Sequence, residues 1–156
     1  MAGEAPLLQA DITIDAPPAK VWALISDVRN MPRWSPQCRK MKALGPVRVG
    51  TKTVNLNRQG ILFWPTTCTI TALDPNRKFA FRVNDNATEW AYELEPAGAD
   101  GLSTKMTETR STPHGVKPIS GFLVNKVLGG IPKFEQSLVE GMQTSLGRIK
   151  SAAEGR

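Results

Sequence analysis

The chain predicts an α+β fold, a meander of antiparallel strands covered by one long helix, in a single domain spanning residues 1–156. Three observations carry that prediction. Apolar and polar residues alternate with period two in several short runs between Leu8 and Arg110. Turn signatures such as Asp74-Pro75-Asn76 and Asn84-Asp85-Asn86 separate those runs. From Ile131 the apolar positions Ile131, Phe134, Leu138, Met142, Leu146 and Ile149 advance by steps of three and four, an amphipathic helix stripe that has only the sheet to bury itself on.

The elements follow in order. Leu8 to Asp15 alternates with Leu8, Ala10, Ile12 and Ile14 on one face, a half-buried strand. Pro17 and Pro18 then suit a first helical turn, whose amides would be unpaired anyway, and Val21, Leu24, Ile25 and Val28 keep helical spacing. The segment from Val28 to Lys52 reads as irregular. Thr51 to Gln59 places Val54 and Leu56 on one face, which would line the cavity if the apolar residues turn inward, with Thr53, Asn55 and Asn57 opposite. Leu62 to Ala72 puts Leu62, Trp64, Thr66, Cys68, Ile70 and Ala72 together, against Thr67, Thr69 and Thr71. Lys78 to Val83 aligns Phe79, Phe81 and Val83, and Thr88 to Glu95 aligns Trp90, Tyr92 and Leu94 against three glutamates. Leu102 to Arg110 closes the meander through Leu102, Thr104 and Met106. A short helix over 119–128 and a break at Gly129-Gly130 precede the long helix, expected over Ile131–Ala153, whose Gly141 and Gly147 each weaken it by up to about 1 kcal/mol unless a neighbour approaches closely.

Composition narrows the class. Hydrophobic residues make up 40% and charged residues 22% of the chain, a soluble globular balance, and no apolar run is long enough for a transmembrane helix. The N-terminal stretch carries acids early and lacks the basic-then-apolar order of a secretory signal, so a cytoplasmic protein is expected. Cys38 and Cys68 have no CxxC spacing and read as two reduced thiols. The net charge of +6 is unevenly placed: Arg29, Arg33, Arg39, Lys40, Lys42, Arg48 and Lys52 fall in a stretch without an acid, while the remainder balances thirteen bases against fourteen acids. Such a stretch is either a solvated face or a patch for anions, nucleic acid or a membrane surface.

Nucleophilic and metal chemistry find little to build on. The only histidine, His114, sits in a loop-like stretch and reads as an exposed residue; neither cysteine lies in a catalytic signature; no zinc, phosphate-loop or dinucleotide motif occurs. No metal and no cofactor are expected.

Four pieces of the sequence together identify a family resemblance. They are Asp15-Ala16-Pro17-Pro18-Ala19-Lys20-Val21-Trp22, then Met31-Pro32-Arg33-Trp34-Ser35-Pro36, then Asn57-Arg58-Gln59-Gly60 running on to Trp64-Pro65-Thr66-Thr67-Cys68-Thr69-Ile70, and the terminal helix. Over nearly its whole length the chain resembles the START-like (SRPBCC) superfamily, in particular its actinobacterial polyketide cyclase/dehydrase branch. The resemblance implies a helix-grip fold: a curved antiparallel sheet wrapped around the C-terminal helix, short helices after the first strand, and an apolar cavity between sheet and helix. That superfamily hosts carriers, cyclases and ribosome-associated proteins, so the resemblance selects no activity.

Within that frame, candidate residues can be named. Met31 and Trp34 lie one helical turn apart and would cover one end of the cavity, leaving Arg33, Arg39 and Lys40 outside. Trp64, Phe81, Trp90, Tyr92 and Met106 from the strands, and Phe134, Leu138 and Met142 from the helix, are the expected ligand contacts; plain core packing is the competing reading for each. Glu108 and Arg58 fall on apolar faces. If inward, they would place an acid and a base in an apolar space, where a carboxyl is harder to ionise and suits proton transfer; with Tyr92 they are the catalytic candidates. Exposure at strand ends is the alternative for both. Three functions follow: binding of a hydrophobic or aromatic small molecule such as a lipid or polyketide; cofactor-free cyclisation or dehydration; and a ribosome- or RNA-associated module acting through residues 28–52, with no DNA partner expected. The last has only Trp34 for base stacking in that segment.

Overall fold

The computed structural model describes residues 7–112 and 131–156. The expected short helix over 119–128, the break after it and His114 lie outside the described residues, as do the side chains of residues 131–134. Seven strands form one antiparallel sheet: β1 (Leu8–Ile14), β2 (Cys38–Ala43), β3 (Lys52–Gln59), β4 (Leu62–Asp74), β5 (Lys78–Val83), β6 (Thr88–Ala97) and β7 (Ser103–Ser111). Their order is β1-β7-β6-β5-β4-β3-β2, so the meander from β2 to β7 is closed on its far side by the first strand. Helix α1 (Pro18–Ile25), a 3-10 turn (Val28–Asn30) and α2 (Met31–Trp34) follow β1, and α3 (Ile131–Ala153) closes the fold. This is the helix-grip arrangement, with α3 packed against β1, β7, α1 and α2.

Local chemistry explains most boundaries. Pro18 opens α1 at a position where its missing amide is harmless, and Ser26 ends it by donating its hydroxyl to the Trp22 carbonyl at 2.7 Å. Asp27 accepts from the Arg29 amide at 3.0 Å and starts the 3-10 turn. Gly60 turns β3 into β4 with φ +63°, a conformation open to glycine without a Cβ clash. Helix α3 buries Leu138, Met142, Leu146, Ile149 and Ala153 against a core that includes Ile14, Val21, Ile70, Phe79 and Met106. Lys150 donates to the Thr13 carbonyl at 2.8 Å, and Glu154 accepts from the Asp15 amide at 2.7 Å, fastening the helix end to the end of β1.

Three expectations are corrected. The segment after α2 is not irregular throughout: it contains the edge strand β2. A bulge between Cys38 and Lys40 breaks its period, so the buried residues Cys38 and Met41 are three apart and no alternation shows in the sequence. The faces of β3 are inverted. Thr53 and Asn55 are buried, whereas Val54 and Leu56 are exposed. The inner polar groups are satisfied among themselves: Thr53 donates to Asn55 Oδ1 at 2.9 Å, and the Asn55 amide donates to Thr66 Oγ1 at 3.2 Å and Cys68 Sγ at 2.9 Å. In β4 a second bulge between Ile70 and Ala72 shifts the register, so that Leu73, not Ala72, pairs with Phe79 and packs on the core.

Candidate functional site

A cavity of about 170 Å³ lies between the sheet and α3. Its size matches a space that holds roughly one aromatic ring. Alternation in the strands builds its walls. β4 contributes Trp64, Thr66 and Cys68; β5 contributes Phe81 and Val83; β6 contributes Thr88, Trp90 and Tyr92. Leu138, Gly141 and Met142 face it from one side of α3, and Met31 from α2. Gly141 matters there: a Cβ would stand 3.4 Å from Pro36, which lies beside the cavity in the loop after α2. Gly147 meets nothing within 4 Å, so close approach explains only the first of the two helix glycines.

The short helix α2 has the amphipathic geometry expected of it. Met31 and Trp34 are buried, while Arg39 and Lys40 are exposed and the Arg33 guanidinium lies 4.6 Å over the Trp34 ring. Met31 reaches the cavity; Trp34 packs in the core beside it and is not part of the wall. Met106, fully buried, is likewise core rather than wall. Phe134 belongs to α3, and its side chain lies outside the described residues.

The two charged candidates separate. Arg58 shares the outer face of β3 with Val54 and Leu56; it donates to the Gly60 carbonyl at 2.7 Å and lies 5.1 Å over the Phe63 ring. It does not enter the cavity, because the whole strand presents the opposite face from the one its apolar residues suggest. Glu108 does enter: it is 3% exposed, and its Oε1 has no hydrogen-bond partner among the described residues. Burial pushes its carboxyl up to about 8, against a weaker lowering by the Tyr92 hydroxyl. Tyr92 is its direct cross-strand partner, and burial followed by the neighbouring Glu108 charge raises the phenol well above its ordinary value. The Tyr92 hydroxyl also lies 3.8 Å from the Met31 sulfur. At neutral pH the pair is therefore an uncharged acid beside an uncharged phenol.

Several cavity residues escaped the sequence reading. Arg110, two places beyond Glu108 on the same face, is buried and meets Glu135 of α3 at 3.3 Å, linking β7 to the helix. The strand alternation ran through Thr104, Met106 and Glu108 and, continued one step, reaches it. Asn55 and Asn57, set opposite Val54 and Leu56, were not named as site residues; Asn57 donates to Thr66 Oγ1 at 3.0 Å within the wall. Cys38 and Cys68 also line the space, with burial raising both thiols to about 11, so neither is a ready nucleophile. Among the described residues, no group of three or more histidine, cysteine or acidic side chains is placed to hold a metal ion. Nor is any described helix long and apolar enough to cross a membrane.

Comparison with known proteins agrees with this architecture. The aromatase/cyclase Zhui from Streptomyces sp. R1128 superposes with a TM-score of 0.76 at 18% identity, over 97% of this chain and 94% of that one, a likeness of fold. The Polyketide_cyc-like protein Cgl2372 from Corynebacterium glutamicum is 28% identical, with a TM-score of 0.64 over 95% of this chain and 91% of that one. No curated protein sequence matches the chain. The model of the family described as polyketide cyclase / dehydrase and lipid transport matches residues 6–154, and the chain belongs to that family.

Proposed function

We propose that this protein is a single-domain binder of a small, largely apolar aromatic molecule that carries a hydrogen-bond acceptor. One observation carries the reading: Trp64, Phe81 and Trp90 enclose a cavity in whose wall a buried carboxyl oxygen of Glu108 lacks a partner among the described residues. An unmet buried polar group costs free energy, which a ligand recovers by accepting the Glu108 proton in a hydrogen bond. With its carboxyl raised to about 8, Glu108 is a donor at neutral pH and suits a ketone or phenolic oxygen. The reduced, buried thiols fit a cytoplasmic setting. Calorimetric titration with 1-tetralone, one aromatic ring bearing a ketone, tests the reading. Saturable binding is expected, blocked by Leu138→Trp, which fills the cavity, and weakened as pH rises through about 8. Binding unchanged by Leu138→Trp would place the probe elsewhere and remove this reading.

The Glu108–Tyr92 pair supports a second reading, cofactor-free acid–base chemistry of the cyclase/dehydrase kind. A protonated Glu108 gives its proton to a ligand ketone oxygen while a solvent water takes the proton from the adjacent carbon, leaving an enol and a Glu108 carboxylate that the resulting hydronium reprotonates. Deuterium incorporation at that carbon of 1-tetralone, followed by NMR, separates the two. Glu108-dependent exchange indicates catalysis; exchange no faster than in buffer leaves binding alone.

A further inference from the structure

From Val28 to Leu73 the chain runs for 46 residues with eight bases and no carboxylate. The described residues expose nine large hydrophobic side chains, and seven of them, Leu44, Val47, Val49, Val54, Leu56, Ile61 and Phe63, fall inside that same stretch. Two independent properties thus coincide on one region, and the sheet register gathers part of it into a single surface. On the outer face Val54 stands beside Lys42, Leu56 lies between Lys40 and Pro65, and Phe63 pairs with Arg58. At the tip of the β3–β4 turn Ile61 is 97% exposed. On β2, β3 and β4 the one carboxylate is Asp74, at the end of β4 away from the Ile61 turn and 3.7 Å from Arg77, and Asp85 of the β5–β6 turn accepts from the Thr67 amide at 2.8 Å. The remaining sheet acids stand on other strands, with Glu89, Glu93 and Glu95 along β6.

We infer that this outer face of β2–β4, led by the Ile61 tip, docks on an anionic lipid bilayer. Apolar side chains of this size gain by leaving water for the acyl boundary, and the flanking Lys40, Lys42, Lys52 and Arg58 meet acidic headgroups. An acidic protein would satisfy the charge but gives no reason for a fully exposed isoleucine at a turn tip. RNA is less suited still: Phe63 is the one exposed aromatic ring of the patch, and the Arg58 guanidinium already covers it. Docking here brings one end of the cavity near the membrane, because Asn57 and Trp64, the next pair after Arg58 and Phe63, face inward from the same strand ends. The inference does not require the cavity to be filled.

Cosedimentation of the full chain with phosphatidylcholine vesicles, with and without phosphatidylglycerol, tests it. Binding is expected only with phosphatidylglycerol present and should fall with added salt. Lys40→Gln and Lys42→Gln should each weaken partition about fivefold. Ile61→Asp should abolish it while leaving the thermal midpoint and 1-tetralone binding unchanged; its open position on a turn makes misfolding no obstacle. No sedimentation with anionic vesicles, equal sedimentation with neutral ones, or indifference to Ile61→Asp would each overturn the proposal. So would salt-sensitive binding to an RNA oligonucleotide without vesicle binding.

Discussion

Replacing Glu108 by glutamine probes the cavity chemistry through stability alone. The carboxyl ionises near 4.5 in the unfolded chain and near 8 in the folded one, because burial removes its hydration. Below pH 4.5 both states hold the proton and the residue carries no penalty. Between 4.5 and 8 only the unfolded chain releases it, so stability falls as pH rises, by about 1.4 kcal/mol per unit. Near neutral pH the accumulated loss is about 3 kcal/mol, and it levels off above 8. The amide has the same shape and nothing to ionise. Glu108→Gln is therefore expected to match the wild type below pH 4.5 and to exceed it by about 3 kcal/mol at neutrality. Urea unfolding of both proteins across this range measures the difference, in which all other titrating groups cancel. A gap that stays constant with pH would refute the picture of a buried neutral acid.

Three further outcomes are expected. Gly147→Ala should raise stability by up to about 1 kcal/mol, since its Cβ meets no atom within 4 Å and the helix gains a better former; chemical denaturation checks it. Arg58→Ala should leave 1-tetralone affinity within about twofold, far short of the tenfold that 1.4 kcal/mol represents, because its guanidinium stands on the outer face; calorimetry decides. Glu154, held down to about 2 chiefly by the Lys150 hydrogen bond and then by the Asp15 amide, adds stability above its unfolded value of 4.5 that is lost as pH falls toward 2. Glu154→Gln should flatten that acid limb in thermal melts, and an unchanged limb would show that the helix-end latch is idle.

Much of the fold was legible because its signals are local. The step pattern of α3 predicted the helix, and the alternation in β5 and β6 put Phe81, Trp90 and Tyr92 on the faces that line the cavity. The α2 turn was legible for the same reason, with Met31 and Trp34 three residues apart. Where a bulge intervened, the period failed: β2 was missed at Cys38 and Lys40, and Ala72 was given the place that Leu73 takes. Alternation shows that β3 has two faces without showing which is inside. Hydrophobicity pointed to Val54 and Leu56, but the neighbouring polar wall of Thr66 and Cys68 made partners for Thr53, Asn55 and Asn57 instead.

That one inversion separates what sequence and tertiary structure each decided. Element order, the helix stripe, the aromatic strand faces and the acid-free basic stretch were present in the chain itself, since each rests on neighbours a few residues apart. Which charged candidate reached the cavity was not. Arg58 and Glu108 looked alike, each continuing an apolar face, and only the packed sheet sent one outward beside Phe63 and buried the other opposite Tyr92. The physical reason is that burial belongs to the assembled layers: a polar face goes inside when the next strand satisfies its hydrogen bonds, and an apolar face stays outside when nothing covers it.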